Sequence, residues 1–317
     1  MINKSREAIP GFGSIDEIQE RLAAQGYIAD RPLATTLFLS MALGKPLFVE
    51  GEPGVGKTEI AKVMARTLDT ELIRLQCYEG LDSNAALYEW NYTRQLLELR
   101  LQEARGVDQT RIGHNLFSEE FLLPRPLLKA LRSEGPRAPV LLIDEVDRSD
   151  VEFEAFMLEV LSDFQITIPE IGTLHAHHTP LVILTSNRTR EVHDALKRRC
   201  LYHWIDYPSF AREVTILRAH LPAVELRLAG QVCRFMELLR EHAFYKRPGI
   251  AETIDWARAL LALRVAELNT AAVEETLGCI LKYRGDSEKL RQLGLDGLVE
   301  MALMPGQDPS AAAQFCT

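Results

Sequence analysis

Long apolar runs are missing from this sequence. No stretch approaches the roughly 20 consecutive apolar residues that a membrane-spanning helix needs, and the polar start MINKSREAIPGFGS does not read as a signal peptide. Cysteine is also scarce, with five residues scattered along the chain and no C-x-x-C spacing, at Cys77, Cys200, Cys233, Cys279 and Cys316. These absences argue against a disulfide scaffold. They predict a cytoplasmic protein with reduced thiols and no membrane span.

Basic residues are also fewer than acidic ones. The 36 lysines and arginines are outnumbered by 45 aspartates and glutamates, which gives a formal net charge of −9. Because phosphate backbones attract basic faces, this balance argues against a broad nucleic-acid-binding surface, although it leaves room for a local basic channel. With 317 residues, of which 47% are hydrophobic, the chain can form one large globular domain or two smaller ones.

What the sequence does contain is a glycine-rich turn between a strand-like and a helix-like segment. The stretch LFVEGEPGVGKTEIAKVMA, residues 47–65, satisfies G-x-x-x-x-G-K-[ST] through Gly51, Gly56, Lys57 and Thr58. Glycines allow a tight turn that points successive backbone N–H groups at phosphates, and the helix adds its positive N-terminal end. We expect Lys57 to reach the β- and γ-phosphates and the Thr58 hydroxyl to hold Mg²⁺. The loop predicts nucleotide binding without saying what the nucleotide is used for.

Strand-like and helix-like segments alternate through the first two thirds of the chain. Apolar runs at KPLFVEG, ELIRLQCY, APVLLIDEVD and PLVILTSNR are separated by amphipathic patterns such as TEIAKVMARTL. This alternation predicts an α/β fold, a parallel sheet between helices with the loop at a strand's C-terminal edge. Beyond Pro208 the pattern is helical only. We predict a nucleotide-binding core at residues 1–207, a helical lid domain with C-terminal helices at 208–304, and a disordered tail at 305–317.

Two acids follow the apolar run VLLI. Asp144 stands at the end of a predicted strand, where an aspartate of P-loop enzymes holds Mg²⁺ opposite the loop threonine. Glu145 follows it directly, in position to polarise a water molecule for in-line attack on the γ-phosphate. Such a pair alone also suits a solvated acidic turn, but the upstream phosphate loop favours the catalytic interpretation. A glutamate here favours hydrolysis over phosphoryl transfer to a substrate.

An amide and two arginines extend this constellation. Asn187 ends the next buried run, LVILTSN, where it can orient the attacking water beside Glu145. Arg198 and Arg199 end the helical pattern REVHDALKRR, where cations also suit the helix dipole. Their functional interpretation is an arginine finger that reaches the transferred phosphate from outside the loop domain. A finger that acts on a neighbouring subunit requires a ring-shaped homo-oligomer.

The order of GEPGVGKT, LLIDEVD, ILTSN and ALKRRC resembles that of AAA+ ATPases of the MoxR group, over roughly residues 20–265. The segments YEGLDSNAALYEWNY, RRCLYHWIDYP and KRPGIAETIDWARAL are most similar to the CoxD-type branch. The resemblance implies a P-loop AAA+ domain followed by a helical lid, ATP and Mg²⁺ as cofactors, and a hexameric ring. It also implies a von Willebrand A-domain partner and a client metalloenzyme, of the molybdenum hydroxylase or carbon monoxide dehydrogenase type, that the ATPase helps to mature.

The resemblance implies roles for individual residues near the strand ends. Asp144 and Glu145 match the Walker B pair, and Asn187 matches sensor 1. Arg199 matches the arginine finger, with Arg198 as the alternate. The residues expected to line the phosphates are Gly51, Glu52, Pro53, Gly54, Val55, Gly56, Lys57, Thr58 and Glu59.

Two further parts of the resemblance concern the base and the lid. Tyr27 and Ile28 fall where AAA+ proteins contact adenine. The MoxR pattern has an arginine, sensor 2, at the start of a lid helix. Here Arg247 precedes that helix and Arg258 lies within it, and neither falls cleanly on the expected position. Arg247 is our candidate for sensor 2.

Some conspicuous residues have ordinary explanations. His175, His177 and His178 in LHAHH suit either metal ligands or an exposed hairpin turn, and without a partner cysteine or acid cluster we expect the turn. The aromatic residues of LYEWNY, residues 87–92, suit either packing or contacts with a substrate in a ring pore. The charge run RQLLELRLQEAR reads as a solvated helix face.

Three other functions compete with ATP-driven remodelling. A small-molecule P-loop kinase would need an acceptor site and an arginine-rich lid, but neither the trans finger nor the pair of Glu145 and Asn187. A GTP switch would need a guanine-reading N-K-x-D segment, which this sequence lacks. A DNA-linked AAA+ ATPase is disfavoured by the acidic balance. The leading hypothesis is a chaperone-like ATPase that does not act on nucleic acid.

Overall fold

The structure is a computed structural model that describes residues 12–104 and 117–304. The polar start at residues 1–11 and the tail predicted to be disordered at residues 305–317 lie outside these ranges. Within the two described ranges, every helix is too short or too polar to traverse a lipid bilayer.

The described residues form two compact units. The sheet unit contains residues 12–18, 31–50, 58–104 and 117–204, and the helical unit contains residues 19–30, 51–57 and 205–304. The chain therefore passes into the helical unit for the phosphate loop and returns to the sheet unit at Thr58. The domain boundary predicted at residue 207 stays a prediction.

Nine strands are described, and five of them make the main sheet. Its order is β2-β5-β8-β1-β9, and the pairs β2·β5, β5·β8 and β8·β1 are parallel. Every residue of β1, β5 and β8 is buried, as expected for central strands covered on both faces. The α/β fold with a parallel sheet is confirmed. The strands are β1 (Leu47–Gly51), β2 (Leu72–Gln76), β3 (Tyr88–Trp90), β4 (Leu122–Pro124), β5 (Val140–Asp144), β6 (Gln165–Ile168), β7 (Gly172–His175), β8 (Leu181–Ser186) and β9 (Leu201–Ile205).

The register of the sheet brings the polar ends of its strands to one edge. Gln76 of β2 pairs with Asp144 of β5, and Glu50 of β1 pairs with Ser186 of β8. Because the strands are parallel, all four residues lie at carboxyl ends. The predicted edge for the site therefore exists in the sheet unit.

Helices cover this sheet, and two small antiparallel sheets accompany it. β3 pairs with β4, and β6 pairs with β7 in a hairpin. One apolar core fills the unit, from Phe48 to Leu196. The helices are α1 (Ile15–Ala24, which continues into the helical unit), α2 (Arg31–Leu43), α3 (Lys57–Leu68, which begins in the helical unit), α4 (Ser83–Leu87), α5 (Tyr92–Ala104), α6 (Pro126–Leu131), α7 (Val151–Asp163) and α8 (Asp194–Arg199), with short 3-10 turns at Glu119–Phe121 and Val146–Arg148.

The helical unit has a separate core. Trp256 is fully buried at its centre, packs on Phe235 and donates its indole N–H to the Thr276 hydroxyl at 2.7 Å. Such a satisfied buried tryptophan fixes how the surrounding helices meet. The helices after residue 205 are α9 (Phe210–His220), α10 (Leu226–Glu241), α11 (Ile250–Ala262), α12 (Thr270–Ile280), α13 (Arg284–Leu293) and α14 (Leu295–Leu303). The helical pattern predicted beyond Pro208 is confirmed.

Candidate functional site

The glycine-rich loop belongs to the helical unit. Gly54 and Gly56 have φ angles of +78° and +94°, in the left-handed region that side chains disfavour, so the turn depends on glycine at both positions. Lys57 is buried, and its ammonium donates hydrogen bonds to the carbonyl oxygens of Gly51 and Glu52, each at 2.8 Å. The lysine therefore closes the loop on itself. Pro53 and Val55 complete the turn, and Glu59 lies in the first turn of α3.

The start of α11 packs directly on this loop. The backbone N–H of Ala251 donates to the carbonyl oxygen of Gly54 at 3.2 Å. A Cβ added to Gly249 would lie 2.8 Å from the Cα, carbonyl carbon and carbonyl oxygen of Gly54. The carboxylate of Glu252 accepts the Gly249 N–H at 3.0 Å and so caps the helix. This contact between two glycines was missed by the sequence analysis, although the turn PG followed by a glutamate three residues later signals the cap.

The segment predicted to contact adenine is fixed by α9. The Arg212 guanidinium donates to the carbonyl oxygen of Ile28 at 2.9 Å and to the carboxylate of Asp30 at 2.7 Å. The ring of Tyr27 lies 3.9 Å from where a Cβ on Gly56 would stand. Tyr27 is thus next to the phosphate loop within the same unit, and Arg212 holds the backbone that follows it.

Arg247 lies on the exposed turn before α11. Its positive charge acts on the Tyr207 hydroxyl. The Arg240 Cζ atom lies 4.8 Å from the centroid of the Tyr207 ring. Burial raises the pKa of the Tyr207 hydroxyl to about 12, and the Glu52 charge acts in the same direction, whereas Arg240 and Arg247 oppose it. Arg247 therefore contributes positive potential at the Tyr207 hydroxyl, within the helical unit.

In the sheet unit, the Asp144 carboxylate is the centre of a dense set of hydrogen bonds. Its side chain is 3% exposed. Oδ1 accepts hydrogen bonds from the hydroxyls of Thr58 at 2.9 Å and Thr185 at 2.6 Å. Oδ2 accepts a fork from Arg74, with Nε at 3.1 Å and Nη2 at 2.6 Å. The structure thus brings together Thr58 and Asp144, the two residues predicted to hold the metal.

Glu145 begins the turn after β5 in a left-handed conformation, with φ of +56°. For a residue other than glycine this backbone costs on the order of 1–3 kcal/mol. Its N–H donates to the Thr185 hydroxyl at 3.0 Å, and its Oε2 accepts from Gln76 Nε2 at 3.2 Å and Arg148 Nη1 at 3.3 Å. These three bonds hold the strained residue and aim its carboxylate toward the end of β2.

A buried thiol lies behind this edge. The Cys77 N–H donates to the Asp144 carbonyl oxygen at 2.9 Å. Burial raises the pKa of the Cys77 thiol to about 12, and the Asp144 carboxylate adds to that rise. The thiol is therefore neutral at physiological pH and adds no charge to the site.

Asn187 is held through its backbone. Its N–H donates to Asp147 Oδ1 at 3.2 Å, and the N–H and hydroxyl of Thr189 donate to Asp147 Oδ2 at 2.8 and 2.7 Å. Asp147 is buried, so this carboxylate ties the turn after β8 to the turn after β5. The Asn187 side chain is half-buried at the carboxyl end of β8, where the sequence predicted it.

Arg198 and Arg199 are exposed at the end of α8. The buried Leu196 anchors this short helix, and Lys197 points inward, with its ammonium 3.8 Å from the Glu50 carboxylate. The two arginines thus stand on the surface of the sheet unit, on a helix whose inner face is fixed.

The histidines of LHAHH do not form the hairpin turn that the sequence predicted: His175 ends β7, and the turn between β6 and β7 lies before Gly172. His175, His177 and His178 are all exposed. Among the residues described, no group of three or more His, Cys, Asp or Glu side chains could hold a metal ion.

The partners of Asp144 and Glu145 were not predicted from the sequence. Arg74, Gln76 and Thr185 each contact Asp144 or Glu145. Arg74 and Gln76 stand two residues apart on β2 and therefore face the same side of the sheet. Two polar side chains on one face at the end of an otherwise apolar strand were the signal that could have found them.

Residues 46–200 match the family model of the AAA domain, dynein-related subfamily. A Lon protease of Heliobacterium modesticaldum is 30% identical over 158 residues, which cover 49% of this chain and 15% of that protein. The uncharacterized protein YehL of Escherichia coli is 27% identical over 192 residues, which cover 57% of this chain and 47% of that protein. The chain thus spans less than half the length of these two relatives.

Among solved structures, the RuvB Holliday junction branch migration motor of Thermotoga maritima aligns with a TM-score of 0.44. The sequence identity is 18%, over 85% of this chain and 72% of that one. Residues 46–200 are therefore similar to AAA-type ATPase domains, and such domains use ATP with Mg²⁺.

Proposed function

We propose that this chain, whose residues 46–200 are similar to AAA-type ATPase domains, hydrolyses ATP with Mg²⁺ to remodel a client protein. The observation that carries the proposal is the Asp144 carboxylate, which accepts a hydrogen bond from Thr58, the residue directly after the loop lysine. This pairing joins the two oxygen donors that P-loop enzymes use around the metal.

The residues present fit Mg²⁺. Thr58 and Asp144 supply hard oxygen ligands 2.9 Å apart, of the kinds that Mg²⁺ takes in nucleotide sites, where it keeps several waters and uses few protein groups. When bound, the metal would neutralise charge on the phosphates.

Phosphate binding is assigned to the loop. The residues from Gly54 to Thr58 would offer backbone N–H groups to the phosphates. Lys57 would exchange its bonds with the Gly51 and Glu52 carbonyls for bonds with phosphate oxygens, which are charged and therefore better acceptors. Tyr27 and Ile28 would contact the base, and Arg247 would add positive charge from the lid side.

Hydrolysis is assigned to Glu145 as the base and Asn187 as the residue that orients the attacking water. The Glu145 carboxylate is held by Gln76 and Arg148, and it would exchange these partners for the attacking water. Asp147 keeps the Asn187 turn in place during that step. Mg²⁺-dependent release of phosphate from ATP without any added acceptor tests this assignment against a kinase.

The finger is assigned to Arg199, with Arg198 as the alternate. Both are exposed at the end of a rigidly anchored helix, as a group that serves a neighbouring subunit must be. This supports a ring of identical chains, hexameric by resemblance. ATPase activity that rises with protein concentration and with the appearance of a ring in sedimentation would support the assembly.

The client is proposed from sequence resemblance alone. By analogy with the CoxD-type branch, we propose a partner with a von Willebrand A domain and a molybdenum hydroxylase or carbon monoxide dehydrogenase as client. Co-purification with the products of neighbouring genes tests this: recovery of such a pair with the Glu145→Gln chain, and loss of cofactor content in the client when this chain is deleted, are the expected results.

A further inference from the structure

A cation already occupies the carboxylate on which the proposed metal site depends. Arg74 reaches across from β2 and places its guanidinium fork on Asp144 Oδ2, at 3.1 and 2.6 Å. The other oxygen of Asp144 is taken by the two threonine hydroxyls. Asp144 thus has its charge neutralised and its lone pairs occupied before any metal is considered.

The two partners differ in their surroundings. The Asp144 side chain is 3% exposed, whereas the Arg74 side chain is 50% exposed. A buried carboxylate needs a compensating charge, and the fork supplies it. Because Arg74 already lies half in water, its guanidinium can be hydrated when it leaves, whereas Asp144 then needs another cation to compensate its charge. The pair is therefore asymmetric: Asp144 is fixed and Arg74 can move.

Arg74 also reaches the second catalytic acid. Its Nη2 donates to Gln76 Oε1 at 2.5 Å, and Gln76 Nε2 donates to Glu145 Oε2 at 3.2 Å. One guanidinium thus fixes Asp144 directly and orients the amide that holds Glu145. Loss of the fork would loosen the Glu145 contact as well.

We propose that Arg74 is a positioning residue that competes with the metal for Asp144. The chain therefore binds Mg²⁺ weakly until a bound nucleotide supplies phosphate oxygens as further ligands. The proposal rests on the function assigned above. Two cations on one carboxylate repel each other strongly where water is scarce. Arg74 therefore withdraws when Asp144 turns to the metal's water shell, and Gln76 then releases Glu145.

The test measures how much Mg²⁺ strengthens ADP binding. ADP affinity is determined by calorimetry in EDTA and in excess Mg²⁺, and the ratio of the two dissociation constants is the metal enhancement. Arg74→Met removes the cation and keeps most of the side-chain length. We expect its metal enhancement to exceed the wild-type value at least tenfold, and Arg74→Lys to fall between them. Arg125→Met is the matched control, because Arg125 is also about half exposed and paired with a carboxylate, that of Glu89.

The outcomes separate this proposal from the function on which it rests. If the wild-type chain binds ADP in neither condition, the nucleotide site itself is wrong. If wild type and Arg74→Met bind ADP with the same metal enhancement, or the variant shows a smaller one, Arg74 does not compete with the metal and the proposal fails. If Arg125→Met raises the metal enhancement as much as Arg74→Met does, the proposal also fails, because the effect would then come from removing any positive charge.

A second measurement does not depend on a variant that folds. The Nε–H of a guanidinium locked on a carboxylate exchanges slowly with water and gives a sharp nitrogen–proton NMR signal. We expect the Arg74 signal in the nucleotide-free chain and its broadening or loss when Mg²⁺ and ADP are both present, with ADP and EDTA leaving it unchanged. A signal that persists with Mg²⁺ and ADP would show that the fork stays closed and would overturn the proposal.

Discussion

The contact between Gly54 and Gly249 makes a sharp prediction for Gly249→Ala. The φ angle at Gly249 is −91°, which alanine adopts without strain, so the effect of the change is purely steric. The new Cβ would lie 2.8 Å from three backbone atoms of Gly54, whereas ordinary contacts begin at 3.4 Å, so the atoms would overlap by about 0.6 Å. Backbone atoms cannot turn aside as a flexible side chain does, so the loop and α11 must separate.

The magnitude follows from that separation. Overpacking of this kind costs about 1–3 kcal/mol, and loss of the hydrogen bond from Ala251 to Gly54 adds about 1 kcal/mol. We expect the free energy of unfolding, measured in urea by circular dichroism, to fall by about 2–4 kcal/mol. ADP binding, measured by calorimetry, should weaken as well, because the loop proposed to hold the phosphates would have moved.

Gly278→Ala is the matched control. Gly278 lies within α12 of the same unit, and a Cβ there meets nothing within 4 Å. Alanine in a helix interior is favoured over glycine by roughly 0.5–1 kcal/mol, so this variant should be as stable as wild type or more so, with unchanged ADP affinity. The reasoning is refuted if Gly249→Ala matches Gly278→Ala in both measurements, since the two backbones would then not be in contact.

Three further predictions concern the proposed chemistry. Glu145→Gln keeps the volume but removes the base, so it should bind ATP and trap it unhydrolysed; near wild-type turnover in a phosphate-release assay would end the assignment. Lys57→Ala should weaken ATP binding in calorimetry, because the charge that meets the phosphates is gone, whereas Lys62→Ala, on the exposed face of α3, should not. Arg199→Ala should bind ATP and assemble, but its rate of ATP hydrolysis should fall, because an arginine finger contributes on the order of 10³-fold or more to that rate. Arg198→Ala tests the alternate finger. Mixing Arg199→Ala with Lys57→Ala chains should restore part of the activity, because some interfaces then pair an intact loop with an intact finger; mixed rings that stay inactive would show that Arg199 does not act in trans.

The parts of the fold that depend on local pattern could be predicted from the sequence. Continuous apolar runs identified β1, β5 and β8, because central strands of a parallel sheet are buried on both faces. Once those strands were known to be parallel, the carboxyl ends that carry Asp144 and Asn187 had to meet at one edge. The hydrogen bond between Thr58 and Asp144 agrees with that inference.

Contacts between distant segments could not be predicted in the same way. The alternation of β2 shows that Arg74 and Gln76 share a face, but their partners lie about 70 residues away and depend on the register with β5. The close approach of Gly249 to Gly54 depends on how a helix packs on a loop, which periodicity does not encode. The lid was also the place where the resemblance fitted least, since neither Arg247 nor Arg258 matched the expected position.

The order of strands in the sheet also sets the order of events during synthesis. β1, which leads into the phosphate loop, is among the first strands to be made, yet it lies between β8 and β9, the last two. Phe48 must wait for Leu184 before it gains its parallel neighbour, and the sheet is not complete until residue 205 has left the ribosome. The long interval leaves an apolar strand without its sheet neighbours during synthesis, the kind of segment that chaperones protect.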